Sequence, residues 1–126
     1  MGKRYLIDSN AIIDFFNKAL PDGGRYLLFS IEPLISVITF IEVFANSNTS
    51  GEESQKLKSF CDVATVYDVG IEIASITVEL RKRYKIKLPD AIIAATALHN
   101  DLVLITRNTS DFEKIEGLEI INPHLI

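Results

Sequence analysis

Four carboxylates in this sequence can do chemistry as a group: Asp8, Glu42, Asp90 and Asp111. Asp8 closes the apolar run Tyr5-Leu6-Ile7, and in an open parallel sheet the strand ends line the ligand crevice. Asp8-Ser9-Asn10 is also three good helix caps in a row, so Asp8 alone reads equally well as a cap. Glu42 sits in Ile38-Thr39-Phe40-Ile41-Glu42-Val43-Phe44-Ala45, with Ile38 and Ala45 on its own helical face. A carboxylate turned toward a core costs several kcal/mol unless a cation or donors meet it. The other reading is a helix rotated so that Glu42 and Asn46 face water. Asp90 follows Pro89 at the start of an apolar helix, where the helix dipole already favours an acid. Asp111 comes just past the last long strand, in Thr106-Arg107-Asn108-Thr109-Ser110-Asp111-Phe112, and can equally cap a short turn through Lys114.

Each acid has a structural account by itself; the set does not. If the strands are parallel, Asp8 and Asp111 leave one edge of the sheet, and Glu42 and Asp90 sit on helices that flank it. Carboxylates a few ångströms apart repel, so some take up protons unless a cation neutralises them. An all-oxygen pocket without His or Cys suits Mg²⁺ or Mn²⁺ and not zinc. Such a site activates water and steadies a phosphoryl transition state, so phosphate-ester hydrolysis is the leading chemistry.

Other chemistries lack their residues. There is no GxxxxGK[ST] phosphate loop, no GxGxxG after a strand and no GxSxG elbow. His99 falls at a helix end and His124 in the last residues, and both have plain end-of-element roles. One cysteine and two histidines cannot build a zinc cage, and Cys61 reads as a small buried hydrophobe in a reducing compartment. The apolar start is stopped by Asp8, too soon for a signal-peptide core, and the longer apolar runs fall short of a membrane span. The expectation is a soluble, cytoplasmic protein.

Positioning these residues requires strands that alternate with helices. Tyr5–Ile7 reads as a buried strand and Ala11–Lys18 as a helix, with a loop over Pro21–Gly24 and a short helix over Arg25–Ser30. An extended stretch at Leu34–Ser36 precedes a helix over Ile38–Asn46, a polar loop over Asn46–Gly51, a helix over Glu52–Asp62 and a strand over Ala64–Val69. Ile71–Tyr84 is amphipathic, with Ile73, Ile76, Thr77, Leu80 and Tyr84 on one face and a Glu79–Arg83 pair on the other. After a turn at Lys85–Leu88, Ala91–His99 is a helix apolar nearly all round, Leu102–Thr106 a buried strand and Glu119–Ile121 a short last strand. The alternation predicts an α/β/α sandwich around a mainly parallel sheet of four to five strands. The 126 residues allow one domain, 1–126, and 48% hydrophobic with 24% charged residues is ordinary for a globular chain.

The sequence resembles the PIN-domain nucleases, specifically the VapC-type ribonuclease toxins of toxin–antitoxin pairs. The resemblance lies in Leu6-Ile7-Asp8-Ser9-Asn10, Thr39-Phe40-Ile41-Glu42-Val43, Leu88-Pro89-Asp90-Ala91-Ile92-Ile93-Ala94-Ala95-Thr96-Ala97 and Thr106-Arg107-Asn108-Thr109-Ser110-Asp111-Phe112. These segments come in the family's order and span nearly the whole chain. The resemblance implies Asp8, Glu42 and Asp90 as ligands of Mg²⁺ or Mn²⁺, and Asp111 as a fourth acid acting through water. It implies a hydroxyl beside the metal at Thr106, water- or phosphate-orienting roles for Asn10 and Asn108, and a fitting Ser9 after the leading acid. It further implies a homodimer, a small antitoxin whose C-terminal segment covers the pocket, and cleavage of RNA to 5′-phosphate and 3′-hydroxyl ends.

A net charge of −4, from 13 Lys and Arg against 17 Asp and Glu, argues at first against an RNA substrate. Setting the four site acids aside leaves 13, equal to the basic residues, so their placement accounts for the whole sum. The densest basic run, Arg81-Lys82-Arg83-Tyr84-Lys85-Ile86-Lys87, precedes the Asp90 segment and is read either as a phosphate-backbone contact or as a solvated helix end. Lys3, Arg4 and Arg107 are further cationic candidates. Two competing functions are a Mg²⁺ phosphatase of the haloacid-dehalogenase type and a catalytically silent PIN interaction module. The phosphatase normally wants Asp where Asn10 stands, and four retained acids weigh against silence.

Overall fold

The computed structural model describes residues 2–45 and 51–126, without the side chain of Glu53. The elements run β1 (Tyr5–Ile7), α1 (Ser9–Phe16), α2 (Asp22–Ser30), β2 (Leu34–Ser36), α3 (Val37–Ala45), α4 (Gly51–Val63), β3 (Thr65–Tyr67), α5 (Ile71–Arg83), α6 (Leu88–His99), β4 (Val103–Ile105), α7 (Thr109–Phe112) and β5 (Ile120–Ile121). All five strands are parallel, in the order β3-β2-β1-β4-β5. The expected α/β/α sandwich is therefore observed, with an entirely parallel sheet.

The three-residue central strands β1, β2 and β4 suffice because both their faces are buried. Leu6, Leu34 and Leu104 point to one face, and Ile7, Ile35 and Ile105 to the other. The Leu face is covered by Ile73 and Leu80 of α5, the Ala91–Ala97 stretch of α6 and Phe112 of α7. The Ile face is covered by Ala11 and Ile12 of α1, Leu28 of α2, Val43 of α3, and Leu57 and Cys61 of α4. Right-handed crossovers require this division. The chain moves outward through β2 and β3 with helices on one face, then crosses back past β1 to β4 and β5 with helices on the other. The reversal leaves a crevice beyond the C-terminal ends of β1 and β4.

Most expected elements form within two residues of their expected bounds. The polar loop at Asn46–Gly51 lies outside the described residues except for Gly51, which opens α4. Cys61 is buried and free, as its composition context suggests. Two expectations are corrected. Pro21–Gly24 is not a loop, because α2 begins at Asp22 and contains both glycines. Their lack of side chains serves packing instead: a Cβ on Gly24 would lie 1.9 Å from the Pro123 carbonyl oxygen, and one on Gly23 2.3 Å from the Ile126 backbone. The Glu79–Arg83 pair does not form either. Arg83 reaches Glu116 at 3.4 Å across the fold, and Glu79 meets Lys82 at 3.9 Å. Among the described residues no helix is long and apolar enough to cross a membrane.

Gly24→Ala is expected to lower unfolding free energy by about 2 kcal/mol despite alanine's better helix propensity, because the clash is with backbone. Gly70→Ala, whose Cβ meets nothing nearer than 3.8 Å, is expected to cost about 1 kcal/mol or less. Urea denaturation of the two variants checks the difference; equal losses would remove the packing account.

Candidate active site

The site begins where β1 and β4 end side by side, with Ile7 registered against Ile105. The next residues leave the sheet together, and the Asp8 N–H donates to the Ile105 carbonyl at 2.9 Å. Asp8 Oδ1 accepts the Ser9 N–H at 2.8 Å and so caps α1. Its Oδ2 accepts the Thr106 hydroxyl at 2.9 Å and the Asn10 amide at 3.3 Å. Asp8 thus meets its cap reading with one oxygen, while the other is held by Thr106 and Asn10. It is only 4% exposed, and Thr106 is fully buried.

From this centre hydrogen bonds run outward to two more acids. Ser9 Oγ donates to Glu42 Oε1 at 3.2 Å, which ties α1 to α3. On the other side Thr106 Oγ1 accepts the Asn108 N–H at 3.0 Å, and Asn108 Nδ2 donates to Asp111 Oδ2 at 2.6 Å. Asp111 lies inside α7, and the cap position belongs to Asn108, whose side chain makes no cap bond. Asp90 stands in the first turn of α6 and shares with Asp111 a cavity of about 430 Å³. Arg81, Lys85, Ile86 and Lys87 complete its lining.

Electrostatics couples all four acids. Burial pushes the Asp8 carboxyl up most, bonds from Thr106, Ser9 and Asn10 pull it down, and the Glu42 charge raises it further. Burial raises Glu42 too, with Ser9 opposing and Asp90 adding to the rise. Asp90 is raised by burial, then by the Asp8 and Asp111 charges, against a smaller pull from Lys87. Each carboxylate charge named here disfavours its neighbour, which is the condition a hard cation relieves. The donor set is carboxylate, hydroxyl and amide oxygen throughout, which fits Mg²⁺ or Mn²⁺. Among the described residues no three acidic or His/Cys side chains are already gathered closely enough to cage an ion.

The profile of the PIN domain family matches residues 5–118 of this chain. The chain belongs to the PIN-domain family. It is 32% identical over 98 residues to ribonuclease VapC1 of Rickettsia felis, covering 69% of this chain and 73% of the relative. Among solved structures, a chain of the toxin–antitoxin complex from Klebsiella pneumoniae superposes with a TM-score of 0.78 at 35% identity, over 97% of this chain and 99% of the other. A chain of the DNA-bound VapBC of Salmonella typhimurium gives a TM-score of 0.75 at 27% identity, over 95% and 98%. The PIN fold here is thus the VapC type, a nuclease family, and the haloacid-dehalogenase reading is set aside.

The basic candidates of this PIN domain divide. Arg81, Lys85 and Lys87 share the cavity with Asp90 and Asp111, whereas Lys82 faces Glu79 and Arg83 faces Glu116. Lys3 pairs with Glu119 at 2.7 Å, and Arg107 is tied to Asp14 at 3.1 Å. Asp14 escaped the sequence reading although its signal matched that of Glu42: an acid inside an apolar run, Ile12-Ile13-Asp14-Phe15-Phe16. His124, given only an end-of-chain role, holds Asp14 with Nε2 2.8 Å from Oδ2.

A raised native carboxyl contributes stability that is complete below its unfolded value of about 4 and lost as pH rises through the raised value. In chelator, Asp8→Asn is therefore expected to gain on the wild type in melting temperature as pH rises from about 4. A difference that stays flat with pH would refute the burial penalty at Asp8.

Proposed function

We propose that this chain, acting over 1–126 as one PIN domain, is a divalent-metal-dependent endoribonuclease and the toxin of a toxin–antitoxin pair. The observation that carries this is the hydrogen-bonded line from Glu42 through Ser9, Asp8, Thr106 and Asn108 to Asp111, with Asp90 facing it electrostatically. Asp8, Glu42 and Asp90 would hold Mg²⁺ or Mn²⁺, with Asp111 acting through water. A bound ion supplies Lewis acidity that activates water and offsets charge on the phosphate.

The protein's own part is orientation and exclusion. Thr106 and Ser9 donate to carboxylate oxygens, which aims those acids and opposes the rise that burial imposes on them. The Asn10 and Asn108 amides donate to Asp8 and Asp111 themselves, and would orient water or phosphate beside them. Arg81, Lys85 and Lys87, on the rim of the Asp90–Asp111 cavity, hold the RNA backbone beside the acids. Hydrolysis adds water across one P–O3′ bond: the hydroxyl joins phosphorus and the proton goes to the leaving 3′-oxygen, giving 5′-phosphate and 3′-hydroxyl ends. The family relatives from toxin–antitoxin complexes support a small antitoxin partner, and the chain acts as a cytoplasmic homodimer.

Asp8→Asn is expected to abolish Mn²⁺-dependent RNA cleavage while leaving the circular-dichroism spectrum unchanged, and chelator should silence the wild type. A phosphatase substrate run beside the RNA should stay intact. Wild-type cleavage by Asp8→Asn would defeat the assignment, and no cleavage by the wild type would favour a silent interaction module. Lys85→Glu with Lys87→Glu should weaken RNA binding and flatten its salt dependence by about 0.7 in slope per lost phosphate contact. An unchanged slope in a filter-binding titration would exclude that rim.

A further inference from the structure

Outside the four acids, one charged group among the described residues is buried and fully engaged. Asp14 of α1 is 7% exposed. Arg107 Nη1 donates to both its carboxylate oxygens at 3.1 Å, and His124 Nε2 lies 2.8 Å from Oδ2. Asn10 and Asp14 stand four residues apart on α1, so their side chains occupy one face a turn apart. Both hold the same residue. Asn10 Oδ1 accepts the Arg107 backbone N–H at 3.0 Å, and Asp14 takes its guanidinium.

Arg107 lies between Thr106, whose hydroxyl holds Asp8, and Asn108, whose amide holds Asp111. Thr106 is tied to β5 through its N–H to the Ile121 carbonyl at 3.0 Å, and its hydroxyl accepts from Asn10 Nδ2 at 3.2 Å, so the first turn of α1 and the sheet hold the start of this segment. The Arg107 side chain adds an anchor one helical turn further along α1, at Asp14. The Arg107 side chain is 57% exposed, but Asp14 is buried and both its oxygens accept from Arg107 Nη1, so the pair is less screened than one between two exposed groups. We propose that Asp14 is a positioning residue of the site, acting through Arg107 to lock the Thr106–Asn108 turn onto α1. His124 supplies a second partner, which keeps Asp14 satisfied when the Arg107 guanidinium is removed. Loss of Arg107 therefore loosens the turn without leaving a buried charge alone.

The inference rests on the four acids being the cleavage site, so Asp8→Asn is run in parallel. Arg107→Ala and Asp14→Ala are each expected to lower kcat for RNA cleavage by about tenfold or more, with KM within about twofold of wild type. The double variant should be no more than about twofold slower than the worse single, because both remove one clamp. Arg107→Lys should recover most of kcat. In metal-free protein the side-chain amide NMR signals of Asn10 and Asn108 should shift in Arg107→Ala and return in Arg107→Lys. If Asp14→Ala does not fold, Asp14→Asn with the surface variant Arg107→Ala carries the same comparison. Wild-type kcat in Arg107→Ala, losses that multiply in the double variant, unmoved Asn108 signals, or a loss confined to KM would each overturn the positioning role. An inactive Asp8→Asn beside a fully active Arg107→Ala refutes that role alone; an active Asp8→Asn refutes the site.

Discussion

Burying the Asp8 carboxylate at the end of the central strand is the constraint on which the rest of the molecule turns. Away from water it demands donors on every accessible lone pair, and local sequence supplies only the Ser9 and Asn10 contributions. The remaining donor, Thr106, lies 98 residues away. It arrives because β4 is the parallel neighbour of β1, and parallel neighbours can be joined only by long crossovers. The helices of those crossovers are what cover both faces of the sheet. Satisfying one oxygen therefore presupposes the sandwich.

The same burial sets the electrostatics. Removal from water is the largest influence on Asp8, Glu42 and Asp90 alike, and mutual repulsion comes after it. Hydrogen bonds from Ser9, Thr106 and Asn10 oppose both without cancelling them. Lys87 is a weaker counterweight at Asp90, because it stands on the exposed rim. The protein thus separates its charge, with acids in the crevice and Arg81, Lys85 and Lys87 around the mouth. A net charge of −4 conceals that separation, so total charge is a poor guide to whether a polyanion can bind.

Much of the fold was legible. Leu6-Ile7, Leu34-Ile35 and Leu104-Ile105 are short apolar pairs, and a strand buried on both faces needs such pairs. The near-uniform apolarity of Ala91–Ala97 announced a helix lying against the sheet. Gly23 and Gly24 misled, because the same two residues that open a turn also permit a close backbone approach inside a helix. Which use they serve depends on Pro123 and Ile126, a hundred residues on. Arg83 misled for a similar reason: a partner on its own helix was available, but Glu116 reaches it from another element.

By itself the sequence determined the residue types of the candidate site, its strand-and-helix alternation and the family, since these are carried by short contiguous segments with their own periodicity. Tertiary structure alone decided which acids share hydrogen bonds, which cations face the crevice and which are paired elsewhere, and that Asp14, Arg107 and His124 meet at all. Those outcomes depend on distances between residues remote in the chain, from 33 positions for Ser9–Glu42 and Arg83–Glu116 to 110 for Asp14–His124, and only the crossover topology fixes such distances.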